Sequence, residues 1–164
     1  MILMNISEAN KSTRSRYYSK AMKLMEDKSF DEKMALGLLR RAIADGDPRA
    51  AYAYANWYMF GPESARDEKK AVDLLLIAAK GNLPEALFNL GVSYERGKGV
   101  KRNLKTAYLF YLRAALAGDR EGFYEIGRCY YYGIGVRPDK EKSSIWLSKA
   151  MEMGVGRDGK FVDN

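Results

Sequence analysis

The sequence predicts an all-α fold, a solenoid of about four helix-turn-helix units with a 36-residue period, on three observations. Gly61, Gly97 and Gly133 stand 36 apart, as do Gly118 and Gly154. Apolar residues keep the same frame: Tyr58, Tyr94 and Tyr130 precede the first three glycines by three positions, and Tyr54, Leu90 and Ile126 by seven. Small residues follow, with Ala55, Gly91 and Gly127 in the first half of each unit and Ala78, Ala114 and Ala150 in the second. A fixed period of this length marks stacked units, each of which buries its apolar face against its neighbours.

Taken in order, the units run over 12–46, 47–82, 83–118 and 119–154. The first is degenerate. Ala35, Leu38, Arg41, Ala42 and Gly46 match Ala107, Phe110, Arg113, Ala114 and Gly118, but Met25 stands where the loop glycine would be. The second carries the loop Gly61-Pro62-Glu63-Ser64 and reads as one residue short between Ala79 and Gly81, with Leu83-Pro84 restoring the frame. In the third, Ala86, Leu87, Leu90, Gly91 and Tyr94 form one helical stripe, spaced i, i+1, i+4, i+5, i+8. Pro84 suits a first helical turn, and the glycines of Gly97-Lys98-Gly99 suit a helix end. Leu104, Ala107, Tyr108, Tyr111, Leu112 and Ala115 form a second stripe, which Gly118 stops. Gly91 and Ala114 let the two axes approach, with Tyr94 filling the space beside them. The fourth unit repeats the third. Residues 155–164 hold too many glycines to extend a helix and read as a frayed end.

Composition bounds the function. A chain of 164 residues, 47% hydrophobic, suits a single repeat domain over 1–164. It offers no apolar run near the roughly 20 residues of a membrane helix. Met1 to Met4 are too short for a signal-peptide core, so a cytoplasmic protein is expected. Cys129 is the single cysteine and reads as a buried thiol beside Tyr130 and Tyr131. There is no histidine, which removes the commonest metal ligand and the commonest general base together. No catalytic residue, metal site or cofactor is therefore expected. The glycine pairs Gly97/Gly99 and Gly133/Gly135 lack the Gly-Lys-Ser/Thr ending of a phosphate loop and read as inter-helix turns.

The run from Ala86 to Val100, with Leu90-Gly91, Tyr94 and Gly97-Lys98-Gly99-Val100, followed by Ala107, Phe110, Arg113, Ala114 and Gly118, resembles the Sel-1-like repeat. Ile126-Gly127, Tyr130, Gly133-Ile134-Gly135-Val136, Trp146, Lys149-Ala150 and Gly154 repeat the pattern. The resemblance implies a right-handed superhelix of helix pairs and a role as adaptor or scaffold. Similar small bacterial proteins include immunity proteins that neutralise secreted toxins. Cysteine-rich relatives have been discussed as hydrolases, but their disulfide pattern is missing here, so that activity is not carried over.

Two surfaces are candidates for recognition. The face of each first helix opposite its apolar stripe is expected to line the concave groove, and it carries Tyr52, Asn56, Phe60, Phe88, Arg96, Tyr124, Arg128, Tyr131 and Tyr132. Solvated helix faces favour Lys and Glu over rings, whereas aromatics and arginine dominate binding hot spots. The alternative is that individual rings pack against the next unit. The second surface is the basic loop of Arg96, Lys98, Lys101, Arg102 and Lys105, in a unit of net charge +4 between two neutral ones. It is expected to face an acidic protein; the alternative is a polyanion or nucleic acid bound through 96–105, although no nucleic-acid motif accompanies it. The oligomeric state is open. A helical solenoid requires a far-ultraviolet circular dichroism spectrum dominated by helix, and substantial sheet content would contradict the whole reading.

Overall fold

The structure is a computed structural model that describes residues 15–26 and 31–155. Among the described residues there are eight α-helices and no strand: α1 (Arg16–Met25), α2 (Glu32–Ala44), α3 (Pro48–Phe60), α4 (Glu68–Lys80), α5 (Pro84–Arg96), α6 (Leu104–Leu116), α7 (Arg120–Tyr132) and α8 (Lys140–Glu152). Each packs principally on its neighbours in the chain, most extensively within the pairs α3–α4, α5–α6 and α7–α8. The loop of the first unit and the tail 156–164 lie outside the described residues.

Capping fixes where the helices begin. Asp31, Asp67, Asn103 and Asp139, themselves 36 apart, start the second helix of each pair. Each side chain accepts a hydrogen bond from the backbone N–H three residues on, at 2.9–3.0 Å, satisfying a donor that the helix leaves orphaned. Asp47 and Asp119 cap α3 and α7 in the same role, while Pro48 and Pro84 occupy first turns. Asp47 also accepts from the Ser15 N–H at 3.2 Å, tying α1 to the start of α3.

The helix ends reveal the frame. Gly97 and Gly133 take left-handed φ of 71° and 73° and return their N–H groups to Ser93 and Cys129. Gly61 does not (φ −70°); its loop continues through a 3₁₀ turn, Glu63–Ala65, with Arg66 donating to the Gly61 carbonyl. After the second helices, positive φ falls at Gly46, Asn82, Gly118 and Gly154. These four are spaced by 36 without a gap, so the second unit is not a residue short. Asn82, at φ 55°, performs the glycine's role because asparagine is among the few side chains that tolerate the left-handed region.

Small residues bring the helices together. A Cβ on Gly91 would lie 2.5 Å from the Tyr111 ring, and one on Gly127 would lie 2.6 Å from Leu147 Cγ. The ring beside Gly91 is thus Tyr111 of α6; Tyr94 stacks instead on Phe110, centroids 5.5 Å apart. Between pairs, the second glycine of each Gly-x-Gly-Val loop rests on the first turn of the preceding second helix. A Cβ on Gly99 would meet the Glu68 carbonyl oxygen at 2.2 Å, and one on Gly135 the Leu104 carbonyl oxygen at 2.0 Å. The core runs continuously through these seams: Ile43 and Leu74 pack on both the first and the central cluster, Phe88 and Tyr94 on both the central and the last.

Gly127→Leu is expected to destabilise the fold by at least about 2 kcal/mol through overpacking, read as a melting temperature about 4–8 °C lower. An unchanged melting temperature would mean that α7 and α8 do not meet at this position.

A candidate protein-binding face on the first helices

Positions on α3, α5 and α7 separated by 36 residues share a helical face, so the candidate residues fall into columns. Tyr52, Phe88 and Tyr124 form one column, all half-buried; Phe60, Arg96 and Tyr132 form another, all exposed, with Phe60 at 75% and Tyr132 at 61%. Tyr131 is half-buried, its ring 4.8 Å from that of Tyr132 and under the Lys140 ammonium. Phe88 divides its surface between packing and presentation: it touches two core clusters and tilts against Tyr111 at 5.8 Å. Tyr52 packs on the central cluster along one edge. Asn56 is half-buried, and its buried Oδ1 has no hydrogen-bond partner.

Arg128 is engaged within the chain. Its Nη2 donates to Glu95 Oε2 at 2.6 Å and its Nε to Glu125 Oε2 at 2.6 Å, while Tyr111 Oη donates to the same Glu95 oxygen at 2.7 Å. The three charged side chains are only 24%, 19% and 18% exposed for Arg128, Glu95 and Glu125. This network crosses from α5 to α7. The Glu125/Arg128 spacing of i, i+3 was visible in the sequence, but the bond to Glu95 emerges only once the pairs are stacked.

Burial alone would raise the Glu95 carboxyl, but hydrogen bonds from Arg128 and Tyr111 outweigh it and hold the group below the usual carboxylate range. Glu125 goes the other way: burial pushes it up, and Arg128 pulls it only partly back. Burial likewise drives the Cys129 thiol to about 12, so the cysteine is a protonated packing residue at neutral pH.

The basic-loop residues Arg96, Lys98, Lys101, Arg102 and Lys105 are all exposed. Arg102 Nε donates to the Glu95 carbonyl at 2.9 Å, closing the end of α5, and Lys98 Nζ lies 3.8 Å from Glu68. Phe60, Arg96 and Lys98, on different elements, line one cavity of about 180 Å³ between α3, α4 and α5. Among the described residues no helix is long and apolar enough to cross a membrane, and no cluster of potential metal ligands forms.

The Sel1 repeat model matches residues 48–83, 84–119 and 124–155, well over half of the chain. The chain belongs to the Sel1 repeat family. The pair α1–α2 lies ahead of the matched Sel1 repeats. A Sel1 repeat protein from Oxalobacter formigenes is 31% identical with a TM-score of 0.78, over 85% of this chain and 41% of that one. A protective antigen of uropathogenic Escherichia coli with the same fold is 30% identical with a TM-score of 0.81, over 90% and 32%. The chain thus spans well under half of either relative. An immunity protein from Pseudomonas aeruginosa, 16% identical over 84% of this chain and 53% of that one, shares the fold at a TM-score of 0.59. No curated protein sequence matches. Sel1 repeats bind other proteins.

The Arg128 network gives a pH signature. The folded Glu95 carboxyl titrates below its unfolded value of about 4.3, so its stabilisation is complete above that pH and is lost as pH falls through the folded value. Glu125 has the opposite sign: folding favours its protonated form, so its ionisation opposes folding near neutrality and the opposition fades in acid. Thermal melts should therefore show Glu95→Gln less stable than wild type at pH 7, with the gap closing below about pH 4, while Glu125→Gln is as stable or more so. Arg128→Met, which leaves two half-buried carboxylates unpaired, should cost about 2–4 kcal/mol at pH 7. A pH-independent gap for Glu95→Gln would show that the carboxylate's charge contributes nothing.

Proposed function

We propose that this chain is a non-catalytic protein-interaction module, an adaptor or scaffold whose partner is gripped by the aromatic face of the first helices. The observation that carries this is the column Tyr52, Phe88 and Tyr124, flanked by Tyr131, Tyr132 and Phe60, at recurring positions on three successive first helices. Rigid rings offer large contact area at little entropic cost, and partly exposed ones gain most when a partner completes their burial. Arg96 is an exposed cation of this face, whereas Arg128 serves to hold α7 against α5 and so orients Tyr124 and Tyr131 rather than meeting the partner.

The basic loop supports an acidic partner surface. Its cations project from a unit of net charge +4, which steers encounter with an anionic surface more than it prolongs the complex. Neutralising a bacterial toxin, as an immunity protein in the cytoplasm, is the specific case we favour. The fold shared with the Pseudomonas aeruginosa immunity protein accords with that role. Binding of a nucleic acid through 96–105 is the second reading, and the same five cations favour it.

With the native partner in hand, Tyr124→Ala or Tyr131→Ala is expected to cost about 2 kcal/mol of binding, roughly thirtyfold in affinity, with little change in melting temperature. Variants that melt earlier yet bind as wild type would place these rings in the core and remove the proposed face. Lys98→Glu, Lys101→Glu and Arg102→Glu together should slow association and flatten its salt dependence, with dissociation less affected; an on-rate indifferent to salt and to all three changes would make the loop a solvated turn.

A further inference from the structure

We propose that the cavity between α3, α4 and α5 is a specificity pocket that takes one apolar side chain of a partner's extended segment, with the flanking carboxylates of that segment held by Arg96 and Lys98. The proposal rests on the reading that the chain binds proteins and names what one of its pockets reads.

Size decides the class of ligand. The cavity is about 180 Å³, well below the roughly 300–1,000 Å³ of sites that enclose small molecules, and of the order of a single aliphatic side chain. Its apolar lining comes from Met59, Ala71 and Val72 of one pair and Val92 of the next, beside the polar Asn89 and Ser93. Phe60 stands at its edge with three-quarters of its surface in water, a large exposed ring beside an open apolar hole. A side chain entering there would cover both.

Charge decides what flanks that side chain. Arg96 and Lys98 line the cavity and are exposed, and no acidic residue occurs from 96 to 105. The one acid in the lining, Glu68, is itself exposed and only loosely paired with Lys98 at 3.8 Å. Such a pair contributes little, so Lys98 is available to exchange it for a partner's carboxylate.

The next seam carries different chemistry at the equivalent positions. One period on, Met59, Val72 and Val92 become Glu95, Tyr108 and Arg128. There Arg128 meets Glu95 at 2.6 Å, and the Tyr108 and Tyr130 hydroxyls pair at 3.0 Å. A carboxylate, a cation and a ring thus complete the α5–α6–α7 seam from within the chain. The α3–α4–α5 seam has the apolar Met59, Val72 and Val92 at those positions and cations beside them, which suits an apolar side chain and carboxylates supplied by a partner.

The test uses defined peptides as probes in an amide NMR titration of the full chain. The first is nine residues long, with a central leucine between two glutamate pairs and Ser-Gly ends. The second replaces the leucine by alanine, and the third replaces the glutamates by lysines. The leucine–glutamate peptide is expected to give saturable shifts concentrated at residues 59–60, 71–72 and 89–98. The alanine peptide should bind about tenfold more weakly, and the lysine peptide should not bind. The exposed-site variant Arg96→Glu/Lys98→Glu should weaken the first peptide at least about tenfold without altering the melting temperature. Shifts that fail to saturate, that lie elsewhere, or that are alike for all three peptides overturn the proposal. So does a native partner that loses affinity with Tyr124→Ala but binds both Arg96→Glu/Lys98→Glu and Phe60→Ala as wild type. That last result leaves the protein-binding reading intact, whereas a partner indifferent to the aromatic-face and the pocket variants removes both.

Discussion

The structure depends on close approach between helices at positions that hold only glycine or alanine. Gly91 against Tyr111 and Gly127 against Leu147 set the distance within a pair, and Ala55 fills the same position with its methyl group fully buried in the first Sel1 repeat. Gly99 and Gly135 then lay the loops after α5 and α7 on the backbone of the preceding second helix, which sets the distance between those pairs. Because both contacts recur every 36 residues, each first helix repeats the placement of the one before. A residue type repeated at the same position becomes a column on the surface. The candidate binding face follows from that repetition, since Tyr52, Phe88 and Tyr124 need only share a register to lie along one line.

The seams are built differently along the array. Between α5 and α7 a charged network of Glu95, Arg128 and Glu125, with Tyr111 beneath it, occupies space that apolar residues leave open one unit earlier. In half-buried ion pairs of this kind desolvation offsets much of the attraction. The opposite displacements of Glu95 and Glu125 follow from that balance: Glu95 receives bonds from two donors, Glu125 from one. The array therefore combines a seam joined by charged and hydroxyl groups with one that holds a cavity lined by Val72 and Val92.

Much of this was legible in the residues. Periodic glycines, tyrosines and alanines placed the helix pairs and the loops, because positive φ and close approach select glycine whatever the neighbours. The N-caps Asp31, Asp67, Asn103 and Asp139 carried an equally plain 36-residue signal through a side-chain chemistry that favours helix starts. Asn82 misled because a glycine sits immediately before it at Gly81; conformation, not identity, marks the position. Tyr111, rather than Tyr94, fills the space at Gly91 because a ring's direction is set by the helix that carries it, which spacing alone does not give. The fate of Arg128 was hidden for a similar reason. Its partner Glu95 lies 33 residues away, one period less one helical turn, and only the stacked fold brings that offset into contact. The convergence of Phe60, Arg96 and Lys98 on one cavity was equally invisible, since they come from two helices and a loop.

The central claim is that the first helices, not the second, present the surface that a partner covers. Amide hydrogen exchange on the complex with the native partner tests this most directly, because it reads protection along the backbone without altering any side chain. The account predicts added protection in α3, α5 and α7 and in the loop 96–105. Protection confined to α4, α6 and α8, with the first helices exchanging as in the free chain, would contradict it.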